Sequence, residues 1–323
     1  MRWHPLLQEW VVTATQRQDR TFFPPADYNP LAPTKPGGFP TEIPASTYEI
    51  VVFENKFPSF RLAPPAPEVE GTDLTPVRPA QGICEVVCYT PDAGAELATL
   101  PVAKIHELVY VWTDRFRRLS ERDYVQYVYI FENKGKEIGV TLTHPHGQIY
   151  AYPMIPPIPA RELHAALSYH RATGRDLIGD ILAQELQDGR RIVAENTHFV
   201  SVVPSFARYP YEAHILPRAA RAALTDFNPE EKLALAQMIK AVISKYNNLW
   251  NRSMPYIMLM HQRPCDDSGD DYAYYRFHIE FYPPYRTSDK LKYLAGSESG
   301  AGVFINDTLP EETAKRLRET EPL

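Results

Sequence analysis

The pattern of apolar and polar positions is regular after residue 80 and irregular before it. ICEVVCYT (83–90) reads as a strand. From Pro101 to Leu119 the apolar positions are Ile105, Leu108, Val109, Trp112, Phe116 and Leu119, and these spacings of three and four predict an amphipathic helix. YVQYVYIF (124–131) carries aromatics at alternating positions and reads as a strand whose aromatics are expected in the core or a subunit interface rather than on a base-stacking platform, followed by a loop beginning at ENKG that leads into HPHGQIYAY. A similar order returns downstream. FVSVVP (199–204) and AHILP (213–217) predict strands. Asn228-Pro229 then opens a helix with Asn228 as N-cap, Pro229 at the first position and Glu231 at the third. Its stripe is Leu235, Ile239, Val242, Ile243, Tyr246 and Leu249, and the strands PYIMLM (255–260) and FHIEFYPP follow.

The two runs are in register. Pro101 and Pro229 open the helices 128 residues apart, and Asn133 and His261 follow the next strands at the same separation. His144 and His278 come after a longer second loop, 134 apart. This predicts a tandem duplication of an α+β unit, mostly antiparallel sheet with flanking helices, divided into halves 1–159 and 160–323. HPHGQ and HIEFY fall at equivalent places. Residues 160–189 predict a long connecting helix, with Gly174 and Gly179 against its middle. Before residue 80, EWVVTA (9–14) and YEIVVF (48–53) predict strands. The stretch PPADYNPLAPTKPGGFP between them is long enough to suggest a functional loop.

Composition narrows this picture. Proline accounts for 31 of 323 residues, which argues against a mostly helical protein. Hydrophobic residues are 44% of the chain, enough for a large core rather than disorder. The net charge of -6 disfavours nucleic acid as a partner. No apolar run approaches the roughly 18 residues of a membrane helix, and no signal peptide is read at the N-terminus. The three cysteines, Cys84, Cys88 and Cys265, fit a reducing cytoplasm and are read as small buried hydrophobes.

Chemistry concentrates in Thr143-His144-Pro145-His146-Gly147-Gln148. In an extended segment His144 and His146 point the same way. Pro145 stiffens the pair, Gly147 is expected to let a phosphate approach the backbone, and Gln148 can offer its amide on the side of His146. A neutral imidazole is a competent nucleophile toward phosphorus. HPHGQ, preceded by FENKG, resembles the galactose-1-phosphate uridylyltransferase family, the transferase branch of the histidine-triad superfamily. The resemblance covers nearly the whole chain and implies two tandem histidine-triad-like half-barrel units. It implies His146 as the nucleophile, with Gln148 and His144 beside it. The His144 carbonyl would accept from the distal ring nitrogen of His146. Substrate contacts implied in the same way are Arg17 and Arg20 in QRQDRTFF, Asn55 and Phe57 in FENKF, and Asn133 and Thr141 ahead of HPHGQ. Lys292, Tyr293 and Glu298 in LKYLAGSES match its sugar-binding segment. Lys56 stands where the family has aspartate.

The family chemistry would be ping-pong exchange of UMP between UDP-glucose and galactose 1-phosphate, giving UDP-galactose, in a cytoplasmic homodimer with no nucleic-acid or membrane partner. A related phosphorylase acting on ADP-glucose, or a catalytically silent nucleotide-binding protein, are the alternatives. Many members hold a structural zinc near the active site. Here the first loop, DYNPLAP, has no cysteine and Ala93 stands near the expected histidine, so this site is expected to be empty. A second family site is matched by Glu162, His261, His278 and Glu280, a donor set suited to zinc or ferrous iron. A buried hydrogen-bonded cluster without metal is the other reading, as is a salt bridge from Glu280 to Arg276 or another base.

Overall fold

The protein is described from a computed structural model covering residues 1–18, 25 and 28–322. A short antiparallel hairpin, β1 (Arg2–His4) and β2 (Glu9–Val11), precedes a nine-stranded sheet. The first half contributes β3 (Val51–Glu54), β4 (Ile83–Cys88), α1 (Val102–Ser120), β5 (Tyr127–Lys134) and β6 (His146–Tyr152). Helices α2 (Pro157–Thr173) and α3 (Leu177–Asp188) follow. The second half contributes β7 (Ile192–Glu195), β8 (Phe199–Val202), β9 (Ala213–Pro217), α4 (Pro229–Leu249), β10 (Tyr256–His261), β11 (His278–Tyr282) and α5 (Pro310–Glu319). The sheet order is β3-β4-β6-β5-β10-β11-β9-β8-β7, and every pairing in it is antiparallel.

Both amphipathic helices lie on the same sheet face. The predicted stripe of α1 is its buried set, and it joins Leu235, Ile239, Val242 and Tyr246 of α4 in one core with Val87, Val128, Ile130 and Ile149 from the strands. The cap of α4 is as expected: Asn228 Oδ1 accepts from the Glu231 N–H at 2.8 Å, and Glu231 returns the contact. The predicted connecting helix is instead two helices. Gly174 takes a left-handed conformation (φ 73°) that closes α2, and Asp176 caps α3 by accepting from the Gly179 N–H. Among the described residues no helix is long and apolar enough to cross a membrane.

Register makes the repeat explicit. Gln148 pairs with Phe131 on one side and Val86 on the other. Glu280 pairs with Leu259 on one side and His214 on the other. Strands β4-β6-β5 therefore recur as β9-β11-β10, joined where β5 meets β10. This equates Gln148 with Glu280 and His146 with His278, which corrects the expected match of His144 with His278. Both matched histidines open a strand and direct Nδ1 to the carbonyl two residues earlier.

Candidate active site

The face of the first half turned away from α1 carries a cavity of about 490 Å³. Strand alternation builds its floor. On β6, His146, Gln148 and Tyr150 line the cavity while Ile149 and Ala151 face the core. On β5, Phe131 and Asn133 do the same, and Val86 and Phe53 come from β4 and β3. The first loop adds Tyr28, Leu31 and Glu42, and the loop before HPHGQ adds Thr141 and Leu142. Aromatic and aliphatic surface thus meets a small set of polar groups, the make-up of a small-molecule site. The aromatics of YVQYVYIF were expected in the core or a subunit interface; Phe131 instead lines this cavity, which its alternation with Asn133 could have signalled.

His146 Nδ1–H donates to the His144 carbonyl at 2.7 Å. That bond keeps the proton on Nδ1 and makes Nε2 the basic nitrogen. The Asn55 amide donates to Gln148 Oε1 at 3.4 Å, which turns the Gln148 NH₂ to the role of donor. Asn55 is itself fixed: its backbone N–H donates to the Cys84 carbonyl and its Oδ1 accepts from the Phe57 N–H. The Arg17 guanidinium donates to the Ser59 hydroxyl. Lys56, at the cavity, forms an ion pair with Glu42 at 2.8 Å.

Of the residues expected at the site, Arg17, Asn55, Phe57, Asn133, Thr141, His146 and Gln148 line this one cavity. Arg20 lies outside the described residues. Lys292, Tyr293 and Glu298 are not in the lining. Lys292 is bound to Glu298 at 3.1 Å and to the Ile305 carbonyl, and it helps hold the Glu298 carboxyl down to about 2, whereas Tyr293 is 74% exposed. Gly147 differs from expectation. Its missing side chain points into the core, where a Cβ would strike the Tyr89 hydroxyl, so packing behind the strand excludes a side chain there.

His144 is buried beneath the motif. Its Nε2 meets the Thr90 carbonyl and the Tyr48 hydroxyl, each at 2.8 Å, and Asn29 Nδ2 donates to Nδ1 at 3.0 Å. Burial lowers its pKa, against the pull of the Thr90 carbonyl. Asn29, from the first loop, and Tyr48 and Thr90 were not anticipated; no local motif marks them.

The second predicted cluster also assembles. Glu162 on α2, His261 on β10 and His278 and Glu280 on β11 bring ligand atoms within 4.8 Å of one another. Glu162 Oε2 is 2.7 Å from His261 Nδ1 and accepts from the Tyr275 hydroxyl at 2.7 Å. Burial pushes the His278 pKa down, but Glu280 and Glu162 outweigh it and raise it to about 9. Glu280 is also approached by Arg208 and His214, each at 3.4 Å, while Arg276 pairs with Asp176 instead. Two imidazoles and two carboxylates converging at this spacing fit a dication of borderline softness.

Comparison with known proteins follows the same lines. Residues 1–156 match the family described as galactose-1-phosphate uridyl transferase, N-terminal domain, and residues 162–322 match its C-terminal domain. The galactose-1-phosphate uridylyltransferase of Thermotoga maritima is 40% identical over 323 residues, covering 99% of this chain and 98% of that protein. A solved uridylyltransferase structure superposes with a TM-score of 0.87 at 33% identity, over 98% of this chain and 96% of that one. An ADP-glucose phosphorylase from Arabidopsis thaliana, solved with ADP-glucose, superposes at 0.73 with 23% identity over 86% of this chain and 83% of that one, which is a likeness of fold. A single cavity holding the HPHGQ histidine, matched family domains in both halves and near-complete coverage of relatives lead to one statement: the chain belongs to the galactose-1-phosphate uridylyltransferase family.

Proposed function

We propose that this chain exchanges UMP between UDP-glucose and galactose 1-phosphate through a uridylyl-His146 intermediate. The observation that carries the reading is the 2.7 Å bond from His146 Nδ1 to the His144 carbonyl, made inside a cavity that also holds Gln148, Arg17 and Asn133. Nε2 attacks the α-phosphorus in line; the N–P bond forms as the P–O bond to glucose 1-phosphate breaks, and the departing phosphate keeps the electron pair. The His144 carbonyl stabilises the positive charge that the ring gains. Gln148 and Asn133 donate to the transferring phosphoryl oxygens, and Arg17 offsets their charge, an effect commonly worth several kcal/mol. A phosphate oxygen of galactose 1-phosphate then attacks the adduct, giving UDP-galactose and freeing His146. His144 serves through its carbonyl and holds the segment through its ring.

The cluster Glu162, His261, His278 and Glu280 would hold zinc or ferrous iron, which would act as a structural clamp between α2 and the sheet. We read the His144 neighbourhood as one in which Asn29, Tyr48 and Thr90 do the holding that a zinc does in relatives. The two halves, 1–159 and 160–323, are taken as the domains, and the molecule as a cytoplasmic homodimer acting on sugar nucleotides, with Lys292, Tyr293 and Glu298 serving the partner's cavity.

Isotope exchange tests the reading. Labelled glucose 1-phosphate should enter UDP-glucose in the absence of any second sugar phosphate, as ping-pong chemistry requires, and His146→Ala should abolish both exchange and the covalent adduct. Exchange into ADP-glucose alone would assign the chain to the phosphorylase chemistry, and an adduct that persists in the variant would remove His146 as the nucleophile.

A further inference from the structure

Behind the catalytic strand, on the face opposite the cavity, lies a buried polar group that the proposed reaction does not use. Glu132 on β5 is 3% exposed and sits between Phe131 and Asn133, both of which line the cavity on the other face. Its carboxyl has two phenol donors, Tyr89 on one oxygen and Tyr256 on the other, each at 3.3 Å. Tyr89 is 1% exposed, and its ring stands edge-on to Trp112 of α1 at 6.2 Å. Its backbone N–H donates to the Pro145 carbonyl at 3.2 Å, inside the HPHGQ segment itself. Its hydroxyl occupies the space next to Gly147 that a Cβ would need. Tyr89 therefore touches the catalytic segment twice, once through the backbone at Pro145 and once through the side chain at Gly147. These two residues flank His146.

We infer that Tyr89 is a positioning residue for the transfer: anchored by Glu132 and Trp112, it sets the backbone of Pro145–Gly147 from behind, so that the His144 carbonyl stays on Nδ1 of His146. The inference rests on His146 being the nucleophile and goes beyond that reading by assigning the device that orients it. A buried carboxyl hydrogen-bonded by two phenols still costs stability. A full-length aromatic side chain over a glycine is a tight fit that tolerates little change. Together they make a rigid back wall for the extended backbone that opens β6. A tilt of the imidazole by an ångström at this place would cost about 100-fold in rate, because in-line attack depends on near-attack geometry.

The experiment is a second-site suppression series in the full chain: wild type, Tyr89→Phe, Gly147→Ala, and both together. Selective ¹⁵N labelling of histidine reads the His146 ring, its signals being identified by their loss in His146→Ala. Steady-state exchange gives kcat and KM for UDP-glucose on the same samples. Wild type should show Nδ1 protonated and Nε2 unprotonated. Gly147→Ala should shift the ring signals toward a mixture of tautomers and lower kcat by about 100-fold. Removing the Tyr89 hydroxyl makes room for the new methyl, so the double variant should regain most of both losses. Tyr89→Phe alone should lower kcat by a smaller factor, leave KM for UDP-glucose nearly unchanged, and move the ring signals in the same direction.

Ring signals and kcat in Tyr89→Phe that match wild type would overturn the inference. So would a double variant that is no better than Gly147→Ala. Should Gly147→Ala fail to fold, the ring signals and kcat of Tyr89→Phe still decide. If wild type exchanges no UMP, the functional reading fails by itself, and the ring signals continue to report whether Tyr89 orients His146.

Discussion

At the scale of single residues, the site is held by groups whose chemistry is unfavourable in isolation. Glu132 is the sharpest case. Burial raises its pKa to about 7, with Lys134 and the two phenols only partly offsetting this. The unfolded chain titrates near 4.3, so between that value and 7 the folded state binds the extra proton. Stability therefore falls as pH rises through this window and levels off above it. Glu132→Gln removes the titration while keeping an acceptor and a donor for the phenols of Tyr89 and Tyr256. Thermal unfolding should show the variant ahead of wild type at pH 8 by up to about 4 kcal/mol, with the advantage shrinking toward pH 5. An advantage that is constant across this range would mean that Glu132 stays in one protonation state throughout. The cysteines follow the same physics with an opposite consequence. Burial pushes Cys88 and Cys265 up to about 12, which leaves both as unreactive packing groups, as the sequence suggested.

At the scale of elements, what could be read from the chain depended on whether the signal was local. The α1 stripe and the α4 cap are properties of neighbouring residues, and both appear where periodicity put them. The break between α2 and α3 was visible only as doubt at Gly174, because a left-handed cap and a flexible helix interior look alike in one dimension. Within the cavity, alternation along β5 and β6 identifies Asn133, His146 and Gln148 and equally identifies Phe131 and Tyr150, yet the aromatics were read as packing. Contacts that depend on tertiary approach had no local mark at all: Tyr89 under Gly147, Asn29 against His144, Tyr275 on Glu162. The candidate metal-binding cluster of Glu162, His261, His278 and Glu280 is such an approach between three elements, recovered in advance only through family spacing. It also yields a test of how α2 is secured, since Glu162 extends from that helix to His261 and His278. Chain purified without chelator should carry about one equivalent of zinc or iron. Where free metal exceeds its dissociation constant a hundredfold, binding adds about 3 kcal/mol, so chelation should lower the melting temperature and Glu162→Gln should remove that response. Two equivalents would place a metal at His144 as well; none, with melting indifferent to chelator, would make the cluster a hydrogen-bonded one.

At the scale of the whole molecule, the structural repeat places two strand triplets of one design in different surroundings. β4-β6-β5 presents His146 and Gln148 to an open cavity, while β9-β11-β10 presents His278 and Glu280 to a crowded set of carboxylates, imidazoles and Arg208. In the second half the position equivalent to His146 is His278, which sits within the Glu162, His261 and Glu280 cluster, and the 291–305 segment, which resembles a sugar-binding segment, does not line the cavity of its own chain among the described residues. If that segment serves a partner, each site in the dimer needs His146 from one chain and Lys292 with Glu298 from the other. Mixing makes this testable. His146→Ala alone and Lys292→Ala alone should each be nearly inactive. In a dimer of one chain of each kind, one site has the sound His146 together with the sound sugar segment, and the other site has neither. Random reassociation in a two-fold dimer makes about half the dimers mixed, with one working site in two, so the mixture should recover about one quarter of wild-type activity. The recovery should appear only after the chains have exchanged, for example after co-expression, and not on simple addition at short times. A co-expressed mixture no more active than its parents would place Lys292 and Glu298 in the service of their own chain's cavity, by a movement of the 291–305 segment toward it.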